Sequence, residues 1–199
     1  APKRHIVGRH GSRAVAAQGR LFFSEYMGID KYKIEKQIIH ALDSFNGFKL
    51  WVHEDSVAPE IKKTANDSGG GLLVAPEEAL FSIGAGKGCQ VFDAATGTLK
   101  TTFKPESQWA YVAYAEGQLF GVAQQGLFAL DPMSGKELWK KALQFPLCIA
   151  GGKVFVRDAS KALIALDARL GKELWKNSDA ELVGTTYMGC RHSGNLLYL

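Results

Sequence analysis

The sequence has few cysteines, no long apolar run and no sustained helical period. Its three cysteines, Cys89, Cys148 and Cys190, show neither Cys-x-x-Cys nor Cys-x-x-Cys-His spacing, which argues against a structural zinc site and covalent haem. No apolar run approaches the roughly 18 to 20 residues of a membrane-spanning helix. No segment keeps apolar residues at a 3.6-residue period, so a solenoid of helical repeats is disfavoured. The odd cysteine count leaves the redox state of all three open.

The charge is also not concentrated in one place. With 24 Lys and Arg against 20 Asp and Glu, the net charge is +4, spread over the predicted turns and strand faces. A nucleic-acid-binding surface needs basic residues gathered on one face, so we expect no nucleic-acid partner. No Met or apolar signal segment opens the chain, and residues 195–199 look like an interrupted strand. We therefore expect this sequence to be part of a longer protein.

What the sequence has is one repeated hairpin. An apolar strand ends in Asp, a Gly follows four residues later, and a Trp follows four residues after the Gly. The Asp residues at 43, 93, 131 and 167 are 50, 38 and 36 positions apart. The copies are residues 41–51, 91–101, 129–139 and 165–175, with Thr101 where the other three have Trp. Self-similarity at this period indicates a repeat architecture.

Each copy is typical of two strands joined by a tight turn. The Asp can accept hydrogen bonds from backbone N–H groups two residues on, and the Gly supplies the positive φ that the turn requires. The Trp is large enough to reach a neighbouring repeat while its indole N–H finds a polar partner. Two further strand candidates precede each copy, which makes four strands per repeat of about 40 residues, as in a propeller blade.

The predicted fold class is therefore all-β. We expect a single domain over residues 1–199, a partial β-propeller of about four four-stranded antiparallel blades and part of a fifth. The predicted blades are residues 14–53, 71–104, 109–143 and 145–177, with a partial blade at 183–199. Within the first blade, residues 27–36 are predicted to be an exposed loop inserted between two strands.

The hairpins resemble the tryptophan-docking repeat of the quinoprotein (PQQ-binding-like) β-propellers over about residues 14–199. The resemblance implies a seven- or eight-bladed ring in the whole protein, so the other blades would be partners of this chain, and a periplasmic or secreted location. That family includes quinoprotein alcohol dehydrogenases and an outer-membrane assembly lipoprotein that serves as a scaffold. Thr101 departs from the pattern, which implies a less tightly docked junction after the second blade.

The resemblance does not extend to a catalytic site. The vicinal cysteine pair that sits at the quinone in the alcohol dehydrogenases is absent, and no residues match that family's calcium ligands and base. We therefore expect no metal, no cofactor and no catalytic residue, and a binding or assembly scaffold. The alternatives are a fragment of a PQQ-dependent dehydrogenase, which would bind PQQ with calcium, and a sensor or ligand-binding domain fused to an enzyme.

Two short motifs could be read as phosphate sites. Residues 9–13, Arg-His-Gly-Ser-Arg, look like the catalytic tripeptide region of histidine phosphatases, but that chemistry needs an α/β sheet and a second His. Residues 84–88, Gly-Ala-Gly-Lys-Gly, lie between two strand candidates and lack the ending of a P-loop. We interpret the first as a chance match and the second as a hairpin turn.

Ligand-binding candidates come from aligning the first strand of each repeat, which lines the central channel in a propeller. The fifth repeat has Cys190, Arg191 and His192 where the others have mainly apolar residues. Buried polar groups are costly unless paired, so this substitution suggests a water-filled channel or a small anionic ligand. Successive strand residues face opposite sides, so only one of Arg191 and His192 can face the channel. Arg13 is a further candidate. We expect no disulfide between Cys148 and Cys190.

Overall fold

A computed structural model describes most of the chain. The described residues are 14–28, 34–56, 72–84, 87–104, 109, 111–123, 125–143, 146–179, 191–193 and 196–198. They form β-strands and no helix, and four of their sheets are four-stranded and antiparallel, one for each predicted repeat. The predicted all-β class, with four four-stranded blades and part of a fifth, is confirmed.

The chain divides into two compact units, and the first comprises residues 1–106. It contains two sheets, each with its strands in chain order, which we call blades one and two. Blade one consists of β1 (Val15–Ala17), β2 (Arg20–Gly28), β3 (Ile34–Asp43) and β4 (Lys49–Ser56), and blade two of β5 (Leu72–Val74), β6 (Ala79–Ile83), β7 (Cys89–Asp93) and β8 (Leu99–Phe103).

The second unit comprises residues 107–199. Blade three consists of β9 (Tyr111–Ala115), β10 (Gln118–Ala123), β11 (Gly126–Leu130) and β12 (Glu137–Lys141), and blade four of β13 (Pro146–Ala150), β14 (Lys153–Arg157), β15 (Leu163–Asp167) and β16 (Glu173–Asn177). A two-stranded sheet of β17 (Arg191–Ser193) and β18 (Leu196–Tyr198) follows. It corresponds to the predicted partial fifth blade.

One detail of blade one was predicted wrongly. Residues 27–36 were expected to be a loop, but β2 continues to Gly28 and β3 begins at Ile34. Met27 pairs with Lys36 across the two strands, and Lys36 pairs in turn with Ser56 of β4. Glu35 and Lys36, two of the polar residues that suggested a loop, lie on β3, which is longer than the strands of the other blades, and pairing with β4 holds Lys36 extended. Residues 29–33 lie outside the described part of the chain.

The turn of each repeated hairpin is built by its Asp. In all four blades the Asp Oδ1 accepts hydrogen bonds from the backbone N–H groups two and three residues on. The backbone N–H of the turn Gly donates to the carbonyl of the same Asp at 2.8–2.9 Å. The Gly residues have φ between 66° and 75°, a conformation that residues with a Cβ rarely adopt. The degenerate copy in blade two therefore keeps the complete turn although its Trp is replaced.

Tryptophan side chains join consecutive blades inside each unit. Trp51 Nε1 donates to the carbonyl of Ala94 at 3.1 Å, which joins blade one to blade two. Trp139 Nε1 donates to the carbonyl of Ala168 at 2.9 Å, which joins blade three to blade four. In both cases the acceptor is the residue after the turn Asp of the next blade. The predicted docking of these two Trp residues on a neighbouring repeat is confirmed.

Trp175 occupies the position in blade four that Trp51 and Trp139 occupy in blades one and three, and it is 40% exposed. Its ring centroid lies 6.0 Å from that of Phe155 in its own blade. The residues of the chain that follow blade four are described only at 178–179, 191–193 and 196–198, so docking of Trp175 on a following blade stays a prediction.

Each unit has its apolar core between its two blades. In the first unit, Phe22, Ala41 and Trp51 pack against Leu80 and Phe92. In the second unit, the corresponding apolar cluster is larger. Its buried residues are Phe120, Val122, Leu127, Ala129, Trp139, Val154, Val156, Ile164, Leu166 and Ala168. Blade-to-blade packing, and not the interior of a single sheet, therefore provides the hydrophobic stabilisation.

The docked indoles lie directly over the turn glycines, which generates a test. A Cβ added at Gly97 would lie 2.6 Å from Trp51 Cδ2, whereas one added at Gly47 would have no neighbour within 4 Å. Both residues have the same positive φ, at 73° and 75°. We expect Gly97→Ala to destabilise the first unit by about 1–3 kcal/mol more than Gly47→Ala, because it adds a steric clash to the same backbone strain. Urea unfolding of the two variants measures this difference, and equal losses would contradict the close approach.

A second test compares two tryptophans of one unit. Trp139 is 8% exposed and docked, whereas Trp175 is 40% exposed. We expect Trp139→Ala to destabilise the second unit by about 3–5 kcal/mol and Trp175→Ala by about 1–2 kcal/mol, in proportion to the apolar area each buries. Chemical unfolding followed by circular dichroism gives both values. A Trp139→Ala variant that unfolds with the parent would show that the blades do not depend on this contact.

Candidate functional site

The predicted ligand-binding residues lie at the edge of what the structure describes. Arg191 and His192 belong to β17, where Arg191 pairs with Tyr198 and His192 with Leu197 of β18. Cα atoms of β17 come within 8 Å of those of β13, the first strand of blade four. The backbone thus places both residues on a strand beside the first strand of the preceding blade, as the repeat alignment requires. Their side chains, and all of Arg13, lie outside the described part of the chain.

The three cysteines are described unequally. Cys89 on β7 is a buried free thiol, and burial raises its pKa to about 12. It is therefore uncharged at neutral pH and unsuited to act as a nucleophile. Cys148 belongs to β13, but its side chain and all of Cys190 lie outside the described residues. The expected absence of a disulfide between these two stays a prediction.

The glycine-rich stretch at 84–88 is a connection between β6 and β7, as interpreted from the sequence. Lys87 N donates to the carbonyl of Gly84 at 3.1 Å, which closes the turn. The ammonium group of Lys87 lies 2.6 Å from Asp55 Oδ1, so its charge is paired with a carboxylate of blade one. Residues 9–13, the second motif with a possible phosphate reading, lie outside the described residues.

Asp55 is the centre of a polar cluster between blades one and two. Besides Lys87, its carboxylate accepts from Gln90 Nε2 at 2.6 Å and contacts His53 Nε2 at 3.0 Å, both through Oδ2. The Asp55 side chain is 16% exposed. The His53 ring packs edge-on against Phe92 of blade two at 4.6 Å. One carboxylate thus links β7 and the β6–β7 turn of blade two to the outer strand of blade one.

The environment of Asp55 favours its ionised form. Desolvation by itself would raise the pKa of this carboxyl, but the hydrogen bonds from Lys87, Gln90 and His53 together outweigh it and lower the pKa. Hydrogen bonds and a cation that favour the charged form are the physical cause. Asp55 is therefore a structural ion at neutral pH and not a general acid.

The cluster continues inward with buried neutral groups. Gln37 Nε2 of blade one donates to Ser82 Oγ of blade two at 3.4 Å, and both side chains are buried. Within the described residues, Gln37 Oε1 and Ser24 Oγ are buried without a hydrogen-bond partner. Buried polar groups of this kind reduce stability unless something satisfies them. We call the whole set the polar seam; it consists of Ser24, Gln37, His53, Asp55, Ser82, Lys87 and Gln90.

The polar seam was not predicted from the sequence, because the seam depends on contacts between residues of different repeats. One signal was available: Ser82 and Gln90 occupy positions that hold Val156 and Ile164 in the fourth repeat. A polar residue at a position that is apolar in a sibling repeat points either to solvent or to a polar partner. Only the structure shows which one applies.

Blade one also exposes two aromatic side chains on its hairpin turn. Phe45 is 97% exposed and Phe48 is 72% exposed. Asp43 Oδ1 accepts from Phe45 N at 2.8 Å and Asn46 Oδ1 accepts from Phe48 N at 2.8 Å, so the turn holds both residues in place. The equivalent position to Phe48 is Lys172 in blade four. The fold itself therefore does not require an aromatic residue here.

The described residues contain neither a cluster of metal ligands nor a membrane-spanning helix. No group of three or more His, Cys, Asp or Glu side chains is arranged there to hold a metal ion. No helix in that part of the chain has the length and apolar character to cross a membrane.

Comparisons with known proteins agree with the repeat reading. Residues 35–195 match the PQQ_2 family model, described as outer membrane protein assembly factor BamB. Comparison with curated protein sequences gives no match.

Solved structures with a similar chain path are longer than this chain. BamB from Moraxella catarrhalis is 16% identical with a TM-score of 0.46, over 82% of this chain and 47% of that one. The computationally designed Ika8 protein is 12% identical with a TM-score of 0.50, over 92% and 65%. A europium-containing methanol dehydrogenase is 13% identical with a TM-score of 0.45, over 82% and 40%. The chain thus spans less than two thirds of each of these structures.

The depressed pKa of Asp55 predicts a pH dependence. A carboxyl whose pKa is lower in the folded state contributes stability above its unfolded pKa of about 4, and this is lost as the pH falls through the folded value. We expect Asp55→Asn to destabilise the first unit by about 1–3 kcal/mol at pH 7. The difference from the parent should shrink as the pH falls below about 4, which urea unfolding at pH 7, 5 and 3 measures.

Glu54→Gln is the matched control on the same strand. Glu54 pairs with Lys36 at 3.1 Å, but both side chains are more than half exposed. Its loss should stay within about 0.5 kcal/mol at every pH. If the two variants behave alike, the Asp55 cluster has no special contribution.

Proposed function

Because this chain belongs to the PQQ_2 family of BamB-type propeller repeats, we propose that it acts as a non-catalytic binding or assembly scaffold. The family model carries the description of an assembly factor, which supports this role. The Asp, Gly and Trp residues that define each repeat build turns and join blades. The residues that vary between blades are the ones left to recognise a partner.

The observation that carries the proposal is the aromatic hairpin of blade one. Phe45 and Phe48 are exposed on a turn, residues 43–48, that is held by five hydrogen bonds among its own residues. Exposed aromatic residues on a preorganised element are favourable anchors for a protein partner, because little conformational entropy is lost on binding. We therefore propose a protein partner that buries these two rings, besides the remaining blades of the same propeller.

We further propose a periplasmic or secreted location and a small anionic ligand as a second class of partner. The location follows the description of the family model, which names an outer membrane factor. The ligand proposal rests on Arg191 and His192 of β17, beside the first strand of blade four. Arg13 is the third candidate for this site.

The alternative is a fragment of a PQQ-dependent dehydrogenase, and the two functions are separable in one assay. The purified chain is mixed with PQQ and calcium, and bound quinone absorbance and dye reduction with an alcohol are recorded. The scaffold proposal expects neither signal. Quinone retention together with dye reduction would favour the dehydrogenase.

The partner is tested by site-specific photo-crosslinking in cells that produce the protein. A photoreactive residue at position 45 or 48 should give a discrete crosslinked polypeptide. The same residue at the equivalent position 172 of blade four should not, since Lys172 is exposed but lacks the aromatic anchors. With the crosslinker at position 45, Phe48→Ser should weaken the product at least several-fold, and equal products at 45 and 172 would contradict an anchor on blade one.

A further inference from the structure

The two described blade junctions are built on one geometry and each has an apolar core, but they differ in polarity at four equivalent positions. Three positions of this contact are equivalent by strand register, and a fourth lies four residues after the docked Trp of each junction. Between blades three and four they hold Val122, Leu143, Val156 and Ile164, all within or against one apolar core. Between blades one and two the same positions hold Ser24, Asp55, Ser82 and Gln90.

The polar residues of the first junction match each other across the seam. Asp55 of blade one accepts from Lys87 and Gln90 of blade two, whereas Gln37 of blade one donates to Ser82 of blade two. The amide of Gln37 meets the hydroxyl of Ser82 deeper in the contact. Asp55 has one partner in its own blade, His53, but the groups of Lys87, Gln90 and Ser82 find theirs on blade one. An apolar neighbour in place of blade one would leave the buried Ser82 and Gln90 without these partners, and one in place of blade two would remove two of the hydrogen bonds that Asp55 accepts.

The seam is not the arrangement that would maximise stability. The second junction shows that the positions of Ser24, Asp55, Ser82 and Gln90 accept apolar side chains, although Gln118 Nε2 of blade three donates to the carbonyl of Arg169 of blade four at its turn end. Among the described residues, the first junction leaves Ser24 Oγ and Gln37 Oε1 without a partner, and the second leaves Gln118 Oε1. Replacing a buried polar pair with well-packed apolar residues is frequently neutral or stabilising. What a buried polar layer provides instead is discrimination between partners, because mismatched contacts are penalised.

The connection at this junction is also the longer one. Residues 57–71 link β4 to β5, whereas only residues 142–145 link β12 to β13. A longer connection holds two elements at a lower effective concentration, so covalent attachment selects the neighbour less strongly. The junction that carries the polar seam is therefore the one where the chain itself constrains pairing less.

We propose that the face of blade one that meets blade two is a selective interaction surface. It accepts a blade whose face carries ammonium, carboxamide and hydroxyl groups, and it discriminates against apolar blade faces, including that of blade four. In this chain it fixes blade two as the neighbour of blade one. The proposal is independent of the scaffold function.

Three variants of the full chain test the matching. Asp55→Leu copies Leu143 onto blade one, and Lys87→Met with Gln90→Ile removes the two side chains of blade two that donate to Asp55. The triple variant combines them. Hydrogen exchange of β6 and β7 amides reports the junction, and amides of β14 and β15 report in the same molecule that the second unit is folded. We expect each one-sided variant to lower β6 and β7 protection by about tenfold or more, and the triple variant to return to within about threefold of the parent.

The proposal would be overturned if the losses of amide protection in the one-sided variants multiplied in the triple variant. If the triple variant loses the product of the two one-sided losses, the residues act independently and the faces do not recognise each other. The matched control is Val156→Ser with Ile164→Gln at the second junction, which should lower β14 and β15 protection because it places polar groups against an apolar face.

Selection also has a consequence for assembly. The triple variant has apolar side chains in place of Asp55, Lys87 and Gln90, so its first junction is closer in polarity to the second. Refolding at high protein concentration should therefore give more dimers with exchanged blades than the parent gives under the same conditions. Light scattering after size-exclusion chromatography measures the two fractions. Equal dimer fractions would mean that chain connectivity alone decides the pairing, and would overturn the proposal.

Discussion

The structure depends on one contact, an indole laid over a glycine turn of the next blade. The indole N–H of Trp51 or Trp139 reaches the carbonyl of Ala94 or Ala168, and its ring covers Gly97 or Gly171. The glycine is needed twice, for its positive φ and for the space that a Cβ would fill. Because the Asp of the same turn holds the backbone in place, the acceptor carbonyl is preorganised for the hydrogen bond from the indole.

This contact anchors only one end of each blade junction. Further along the strands, the first junction uses hydrogen bonds and an ion pair where the second uses Val, Leu and Ile side chains. A repeat protein whose blades were identical would offer several equivalent ways to pair them. Differences between faces that share one backbone geometry are a physical means of distinguishing neighbours, and they have a cost in unsatisfied buried groups.

The distinction between residues shared by all repeats and residues that differ between blades also bears on function. Residues shared by all repeats serve the fold, since they are occupied in turns and in docking. Residues that differ between blades are available for recognition, as the exposed Phe45 and Phe48 on a turn shared with the other blades illustrate. Repeat proteins with this division present varied side chains from a constant frame, which suits a scaffold and does not by itself imply catalysis.

The sequence by itself determined the repeated hairpin, the four strands of each blade, the role of the turn Asp and the docking of Trp51 and Trp139. These features are local or recur at a fixed spacing, so the pattern of residues is sufficient to predict them. It was misleading at residues 27–36, where polar residues on extended strands looked like a loop. Only the tertiary structure decided that Asp55, Lys87 and Gln90 meet, and that Trp175 is half-exposed within the described chain. These outcomes depend on which faces two blades turn toward each other. Local sequence patterns do not indicate which of two distant segments will be in contact.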